Sequence, residues 1–310
     1  MSTLLKITLS KLELESPFIL ASGILGVSYS SMKQISDAGA GAVTTKSIGP
    51  IPRKGYKNPS ILEIMPNSFI NSVGLGNPGI DEFVSEIKEL KQNQITTIVS
   101  VFGDSIDSYI EVAVKAQIAG ADAIELNVSC PHAEIASICQ DKKITYDYVF
   151  AVKKKINIPL YVKLSPNVTD ICEIALSAEK AGADAITAIN TVNAMAIDVE
   201  TQRPILSHGS GGLSGRAIHP IAVKKVYDLY KVLKIPIIGC GGVFTWEDAI
   251  EIFLAGATAV QIGSALYQDY DVLKKIVEGT IIYLNNHNYK SISEIIGNAH
   301  NFQLQEAPDY

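Results

Sequence analysis

AGAGAV at residues 38–43, AGADAI at 119–124, AGADAI again at 181–186 and AGATAV at 255–260 are four versions of one phrase. Each follows a helix-like stretch and leads into a β-rich run, the mark of a repeating αβ unit. Gly39, Gly120, Gly182 and Gly256 suit the left-handed residue that ends a helix, and the small residues beside them let the chain turn tightly into a buried strand. A βα unit takes about 30 residues or more, so each interval between phrases holds two units, the first with a long insertion. Short apolar runs bounded by turn residues supply the strands: Phe18–Ala21, Ala42–Thr45, Thr97–Val101, Ala123–Asn127, Leu160–Leu164, Ala185–Ile189, Pro236–Gly239 and Ala259–Gly263.

Amphipathic stretches lie between them, among them Asp81–Lys91, Ser105–Ala119, Thr169–Ala181, His219–Leu233 and Thr245–Leu254, several opening on Asp, Ser or Thr as N-caps. Eight alternating units predict an α/β fold of the (β/α)8 TIM-barrel type, with an open doubly wound sheet as the weaker alternative. The alternating run Leu4–Leu14 is expected to form an N-terminal β-hairpin closing the barrel floor, and the insertion follows strand 2. No linker or low-complexity segment divides the chain, so residues 1–310 are read as one domain.

Of 310 residues, 47% are hydrophobic and 19% charged, which excludes disorder as the dominant state. A chain of this size buries roughly three quarters of its unfolded surface, enough for a large core. The net charge of −6, with no cluster of Lys and Arg, argues against a nucleic-acid partner. MSTLLKITLSKLELE mixes charged with apolar residues and does not read as a secretory signal. The longest uncharged stretch, Ile252 to Gln268, falls short of a membrane span and contains Gly256 and Gly263, so a cytoplasmic protein without a membrane anchor is expected. Cys130, Cys139, Cys172 and Cys240 form neither a disulfide framework nor a CxxC pair, and no metal site is read from them.

In a barrel, chemistry belongs at the C-terminal ends of the strands. Gly239-Cys240-Gly241-Gly242 follows the seventh strand and Gly263-Ser264 the eighth, the pair of loops where barrels commonly hold a phosphate on backbone N–H groups. Lys46 ends the second strand and Lys163 lies in the fifth, each among residues expected to be buried. Such a lysine either snorkels to the rim or aims its charge at an anion. Lys163 alone also suits a Schiff-base enzyme. Cys130 is expected on a loop at the barrel mouth, where a thiol can act as base or nucleophile, whereas the other three cysteines read as core residues. Asn71, Asn127, Asn190 and Thr191 offer donors and acceptors that suit a flat ring bearing carbonyls and N–H groups, although each alone is also an ordinary turn residue.

ASG at 21–23, TTKS at 44–47, NSVGLGNPGID at 71–81, ELNVSCPH at 125–132, VKLSPNVTD at 162–170, INT at 189–191, GGLSG at 211–215, IIGCGGV at 237–243 and VQIGSA at 260–265 together resemble the class 1 dihydroorotate dehydrogenases. NPGID, LSPNVTD and GGLSG are most similar to class 1B, whose catalytic subunit works beside an iron–sulfur flavoprotein. The resemblance covers nearly the whole chain. It implies an FMN enzyme of pyrimidine (UMP) biosynthesis that oxidises (S)-dihydroorotate to orotate, passing hydride from C6 to flavin N5 while Cys130 takes the C5 proton. It places Ser22, Lys46, Ser47, Ser100, Asn127, Lys163, Ile189, Gly215, Gly241, Gly242, Gly263 and Ser264 around FMN, the last four at its phosphate. Lys46, Asn71, the backbone of Ser72, Val73, Gly74 and Leu75, Asn127, Asn190 and Thr191 would hold the substrate. With Cys130, Lys46 and Lys163 are the residues it assigns to the chemistry.

His132, Ser100 and Ala194 depart from the usual Asn, Asn and Gly of that family, and residues 133–144 lack the glycines of its mobile loop. The resemblance also implies a homodimer core, or a heterotetramer with an FAD and iron–sulfur subunit, since the chain's own cysteines are wrongly spaced for a cluster. CPH and the NTV at 190–192 are shared with the pyrimidine-reducing domain of dihydropyrimidine dehydrogenases, which makes an FMN enzyme acting on uracil or dihydrouracil the nearest alternative. A Schiff-base barrel using Lys163 is a more distant one.

Overall fold

The computed structural model describes residues 3–128 and 140–302. Its core is a closed barrel of eight parallel strands: β1 (Phe18–Leu20), β2 (Ala42–Thr44), β3 (Thr97–Val101), β4 (Ala123–Asn127), β5 (Leu160–Leu164), β6 (Ala185–Ala188), β7 (Ile237–Cys240) and β8 (Ala259–Ile262). Each pairs with its sequence neighbours, and β8 closes the ring on β1 with Gln261 opposite Ile19. A (β/α)8 TIM barrel is therefore the fold, as the repeated phrase predicts, and every strand lies within one residue of its expected bounds.

Eight helices follow the strands in turn: α1 (Tyr29–Asp37), α2 (Ile80–Gln92), α3 (Ile106–Ala119), α4 (Lys142–Lys153), α5 (Ile171–Lys180), α6 (His219–Tyr230), α7 (Trp246–Ala255) and α8 (Val272–Asn286). Helix α2 shows why they pack inward: Ile80, Phe83, Ile87 and Leu90 are spaced by three or four residues and all are buried on one stripe. Ser105 with Ser108 and Thr245 with Asp248 form capping boxes at the starts of α3 and α7. The four glycines of the repeated phrase adopt φ of 112° (Gly39), 113° (Gly120), 102° (Gly182) and 122° (Gly256), so each ends its helix as expected. Helix α5 is shorter than read, because Asp170 rather than Thr169 caps it, and α6 stops at Tyr230 rather than Leu233.

Ile7–Leu9 and Leu12–Leu14 form the expected N-terminal hairpin. Leu9 and Leu14 are buried, and Tyr161 of β5 donates its hydroxyl to the Leu9 carbonyl at 3.3 Å, which fastens the hairpin to the N-terminal end of the barrel.

The insertion after β2 was expected; its structure was not. Ile61–Met65 and Ser68–Asn71 pair with Gly211–Gly215 and Val192–Ala194 in a four-stranded antiparallel sheet. Two of its strands thus come from a second insertion, after β6. GGLSG has too many glycines to read as a strand, and its partner lies far away in sequence. Among the described residues, no helix is long and apolar enough to cross a membrane.

Candidate active site

Successive barrel strands deliver one polar side chain each to the C-terminal rim. Ser22 follows β1 and Ser47 follows β2, and their hydroxyls lie 3.3 Å apart. Ser47 also meets the Ser100 hydroxyl of β3 at 2.9 Å and accepts from the Asn127 amide of β4 at 3.0 Å. Asn190, after β6, donates to Asn127 Oδ1 at 3.3 Å, and its own Oδ1 accepts the Thr191 N–H at 2.8 Å. Residues scattered over 170 positions of sequence therefore make one continuous hydrogen-bonded belt.

The auxiliary sheet extends this belt. Asn71 donates its amide to the Gly212 carbonyl at 3.0 Å, and a Cβ at Gly212 would lie 2.1 Å from the Thr191 hydroxyl, so glycine there lets Thr191 pack against the strand. Beyond Asn71, the Ser72 N–H is spent on the Ser60 carbonyl at 2.7 Å. Its expected contact with a substrate would have to use the side chain. The N–H groups of Val73, Gly74 and Leu75 carry no partner among the described residues.

Lys46 is half-buried, and its ammonium has neither a hydrogen bond nor an ion pair among the described residues. Burial pushes its pKa below the ordinary lysine value. An anion arriving beside it would stabilise the charged form, which is what a site for a carboxylate needs.

The two glycine loops continue the paired strands β7 and β8, whose Cys240 and Gln261 are in register. Gly242 has φ +66°, and a Cβ there would meet the Gly215 carbonyl and His219 Cβ, both at 2.7 Å. Gly215, Gly241 and Gly242 are thereby gathered at one end of the mouth, with Gly263 and Ser264 on the neighbouring strand end. His219 braces this loop from behind: one ring nitrogen lies 3.0 Å from the Gly241 carbonyl and the other 3.1 Å from Glu251 Oε2. Ile189 is buried, and its N–H is taken by the Cys240 carbonyl at 2.8 Å.

Below the rim, the barrel interior holds a polar cluster. Lys163 donates to Gln261 Oε1 at 3.0 Å, and Gln261 Nε2 donates to Glu125 Oε2 at 2.7 Å. Thr187 donates to the same Glu125 oxygen at 2.9 Å, leaving Oε1 unbonded at 4.0 Å from the Lys163 nitrogen. Burial pulls the Lys163 amine down, but Cys240 and Glu125 pull it up further, so its pKa lies above the ordinary value. Burial also raises the Cys240 thiol above its ordinary value, against the pull of the Lys163 ammonium. A Schiff-base lysine needs the opposite, an amine pushed towards its neutral form.

Sequence reasoning brought forward Lys163 but missed Glu125, Gln261, Thr187 and His219. The available signal was a charged or amide residue at an inward position of an otherwise apolar strand, as in AIELN and AVQI. Cys130, expected at this mouth, lies outside the described residues, as do His132 and Cys139.

The dihydroorotate dehydrogenase family profile matches residues 4–284 of this chain. The chain belongs to the dihydroorotate dehydrogenase family. Within it, the similar relatives are B-type (class 1B) proteins. One from Methanocaldococcus jannaschii, named dihydroorotate dehydrogenase B (NAD(+)), catalytic subunit, is 47% identical over 304 residues, covering 96% of this chain and 98% of the relative. A relative of the same name from Pyrococcus horikoshii is 47% identical over 297 residues, covering 95% and 97%. The crystal structure of a dihydroorotate dehydrogenase from Eimeria tenella in complex with ferulenol matches with a TM-score of 0.85 over 96% of this chain and 89% of that one, at 22% identity, a likeness of fold. The belt, the glycine loops and the inner lysine are thus this dehydrogenase family member's candidate active site.

Proposed function

We propose that this protein is an FMN-dependent dihydroorotate dehydrogenase, an oxidoreductase converting (S)-dihydroorotate to orotate in de novo pyrimidine biosynthesis. The observation that carries the reading is the belt from Ser22 to Thr191, which links the family's substrate and flavin positions side chain to side chain and leaves Lys46 without a partner.

The residues present fit FMN. The turn at Gly241 and Gly242 is a cradle that a Cβ would fill, Lys163 is a buried cation, and Ser22, Ser47 and Ser100 line one side with hydroxyls. Bound there, FMN supplies the acceptor for the substrate's C6 hydride. Lys46 would pair with the substrate carboxylate, and Asn71, Asn127, Asn190 and Thr191 would hold its ring by amide and hydroxyl contacts, aided by the N–H groups of residues 73–75. Such positioning is worth more than any single contact, because it fixes the reacting hydrogen against its acceptor. Cys130, as base, would remove the C5 proton, and residues 1–310 would act as a single FMN-binding domain.

The relatives are named catalytic subunits of an NAD(+) enzyme, which supports a separate electron-transfer subunit; the resemblance adds that this subunit would carry FAD and an iron–sulfur cluster around a homodimer of this chain. The absence of a membrane-crossing helix among the described residues is consistent with action in the cytoplasm.

The purified protein should be yellow, and dihydroorotate added without oxygen should bleach its blue-light band. A yellow protein that ignores dihydroorotate but responds to dihydrouracil would assign it to dihydropyrimidine chemistry. A colourless protein that takes up no FMN would remove the flavin reading altogether.

A further inference from the structure

Four barrel strands enclose a charge pair of which one member, Lys163, belongs to the flavin assignment, while the other, Glu125, is used by none of the substrate or flavin assignments. Glu125 is fully buried, with one oxygen accepting from Thr187 and Gln261 and the other without a hydrogen bond. Gln261 is oriented by its two ends: its carbonyl faces the Lys163 ammonium and its amide N–H faces the carboxylate. Turned over, it would press its donors on the cation and its carbonyl on the anion, so the network admits one orientation.

The register gives the pair a direction. Lys163 lies opposite Asn127 on the adjacent strand, whereas Glu125 lies opposite Tyr161, one inward-facing position nearer the barrel floor. The cation therefore stands between the carboxylate and the mouth, and the pair presents its positive end upward. A buried carboxylate is costly unless it is paired, and Oε1 has the Lys163 ammonium as its only charged neighbour within 4.0 Å among the described residues. Among the described residues the other titratable group facing Lys163 is Cys240 on β7, whose thiol burial raises; Thr44, Thr187 and Gln261 are polar but do not titrate.

We propose that Glu125 is a positioning residue for the redox chemistry: with Gln261 it holds Lys163 as a fixed ammonium beneath the flavin site, and so raises the reduction potential of the bound flavin. The proposal rests on the FMN reading above. A cation held in a low-dielectric interior favours the more electron-rich form of a neighbouring ring, and it does so without reorganising when electrons arrive. Without Glu125, desolvation would be left to push Lys163 towards its neutral form.

The test is the reduction potential of the FMN-loaded protein, measured from pH 6 to pH 9. In Glu125→Gln, we expect the reduced flavin to bind about tenfold more weakly relative to the oxidised form, a fall of about 30 mV for a two-electron couple. We also expect a pH step that wild type lacks, as Lys163 begins to titrate. In a Lys163→Met background, Glu125→Gln should lower the potential no further. If Glu125→Gln does not fold, Gln261→Leu breaks the link without removing either charge and should shift the potential the same way. An unchanged or raised potential in these variants, or an equal fall in the Lys163→Met background, would overturn the proposal while leaving the flavin assignment intact. A wild-type protein that takes up no FMN would end both.

Discussion

Asn71 and Gly212 are joined by a 3.0 Å hydrogen bond across 141 residues of sequence, so the amide proposed to meet the substrate is held by the strand against which Thr191 packs. The two insertions act as one wall of the site. Asn71→Ala removes both the proposed substrate contact and this tie. A net hydrogen bond contributes about 1 kcal/mol and a buried orphaned acceptor costs about 1–3, so orotate should bind roughly 5- to 100-fold more weakly while FMN content stays normal. Titration of the flavin absorbance with orotate checks this.

Lys46 should trade stability for binding. Its pKa is lowered in the folded protein, so below that pKa the folded state holds a half-buried charge that the unfolded state keeps in water. The ligand-free protein therefore gains stability from this group as pH rises through the lowered pKa. Lys46→Met should raise the melting temperature of the ligand-free protein at neutral pH and abolish measurable orotate binding. In wild type, orotate affinity should fall on the alkaline side before an ordinary lysine would titrate, and Lys46→Arg should remove that fall. Thermal melts and orotate titrations across pH decide both points.

Cys130→Ala should leave FMN bound and orotate affinity nearly normal. Flavin reduction by dihydroorotate should slow by about 10²–10⁴-fold, the usual contribution of a positioned base. Rapid-mixing absorbance without oxygen gives the rate, and near-normal reduction would take Cys130 out of the role.

Gly242→Ala forces a side chain into φ +66° and onto the Gly215 carbonyl. The strain is of order 1–3 kcal/mol, and it falls on the loop that would cradle the phosphate. FMN should bind at least tenfold more weakly, with riboflavin affinity less affected because it has no phosphate. His219→Ala, which removes the brace behind Gly241, should weaken FMN in the same phosphate-dependent way. Fluorescence titration with the two flavins separates the effects.

The barrel was legible because period and punctuation agree: four glycines end helices where the repeated phrase places them, and the apolar runs after them are strands. Of the rim, the strand-end lysines and asparagines were legible from the residues, whereas Ser22, Ser47 and Ser100 came only with the resemblance, because a serine at a strand end reads as an ordinary turn residue. The auxiliary sheet was not legible, because its glycine strand carries no alternation and pairs with a distant segment. Glu125 and Gln261 were hidden for another reason. Within AIELN and AVQI they look like strand residues, and only the closed barrel turns them towards each other.

Closure of β8 onto β1 has a consequence for biosynthesis. The first barrel strand ends at Leu20 and its last neighbour at Ile262, so a nascent chain exposes two unpaired strand edges until residue 262 of 310 has left the ribosome. Until then the rim belt has no ring to stand on, and a prematurely terminated fragment is a candidate for edge-to-edge aggregation rather than a weakened enzyme. Slow translation of the final βα units would therefore lengthen the interval in which the chain depends on chaperones.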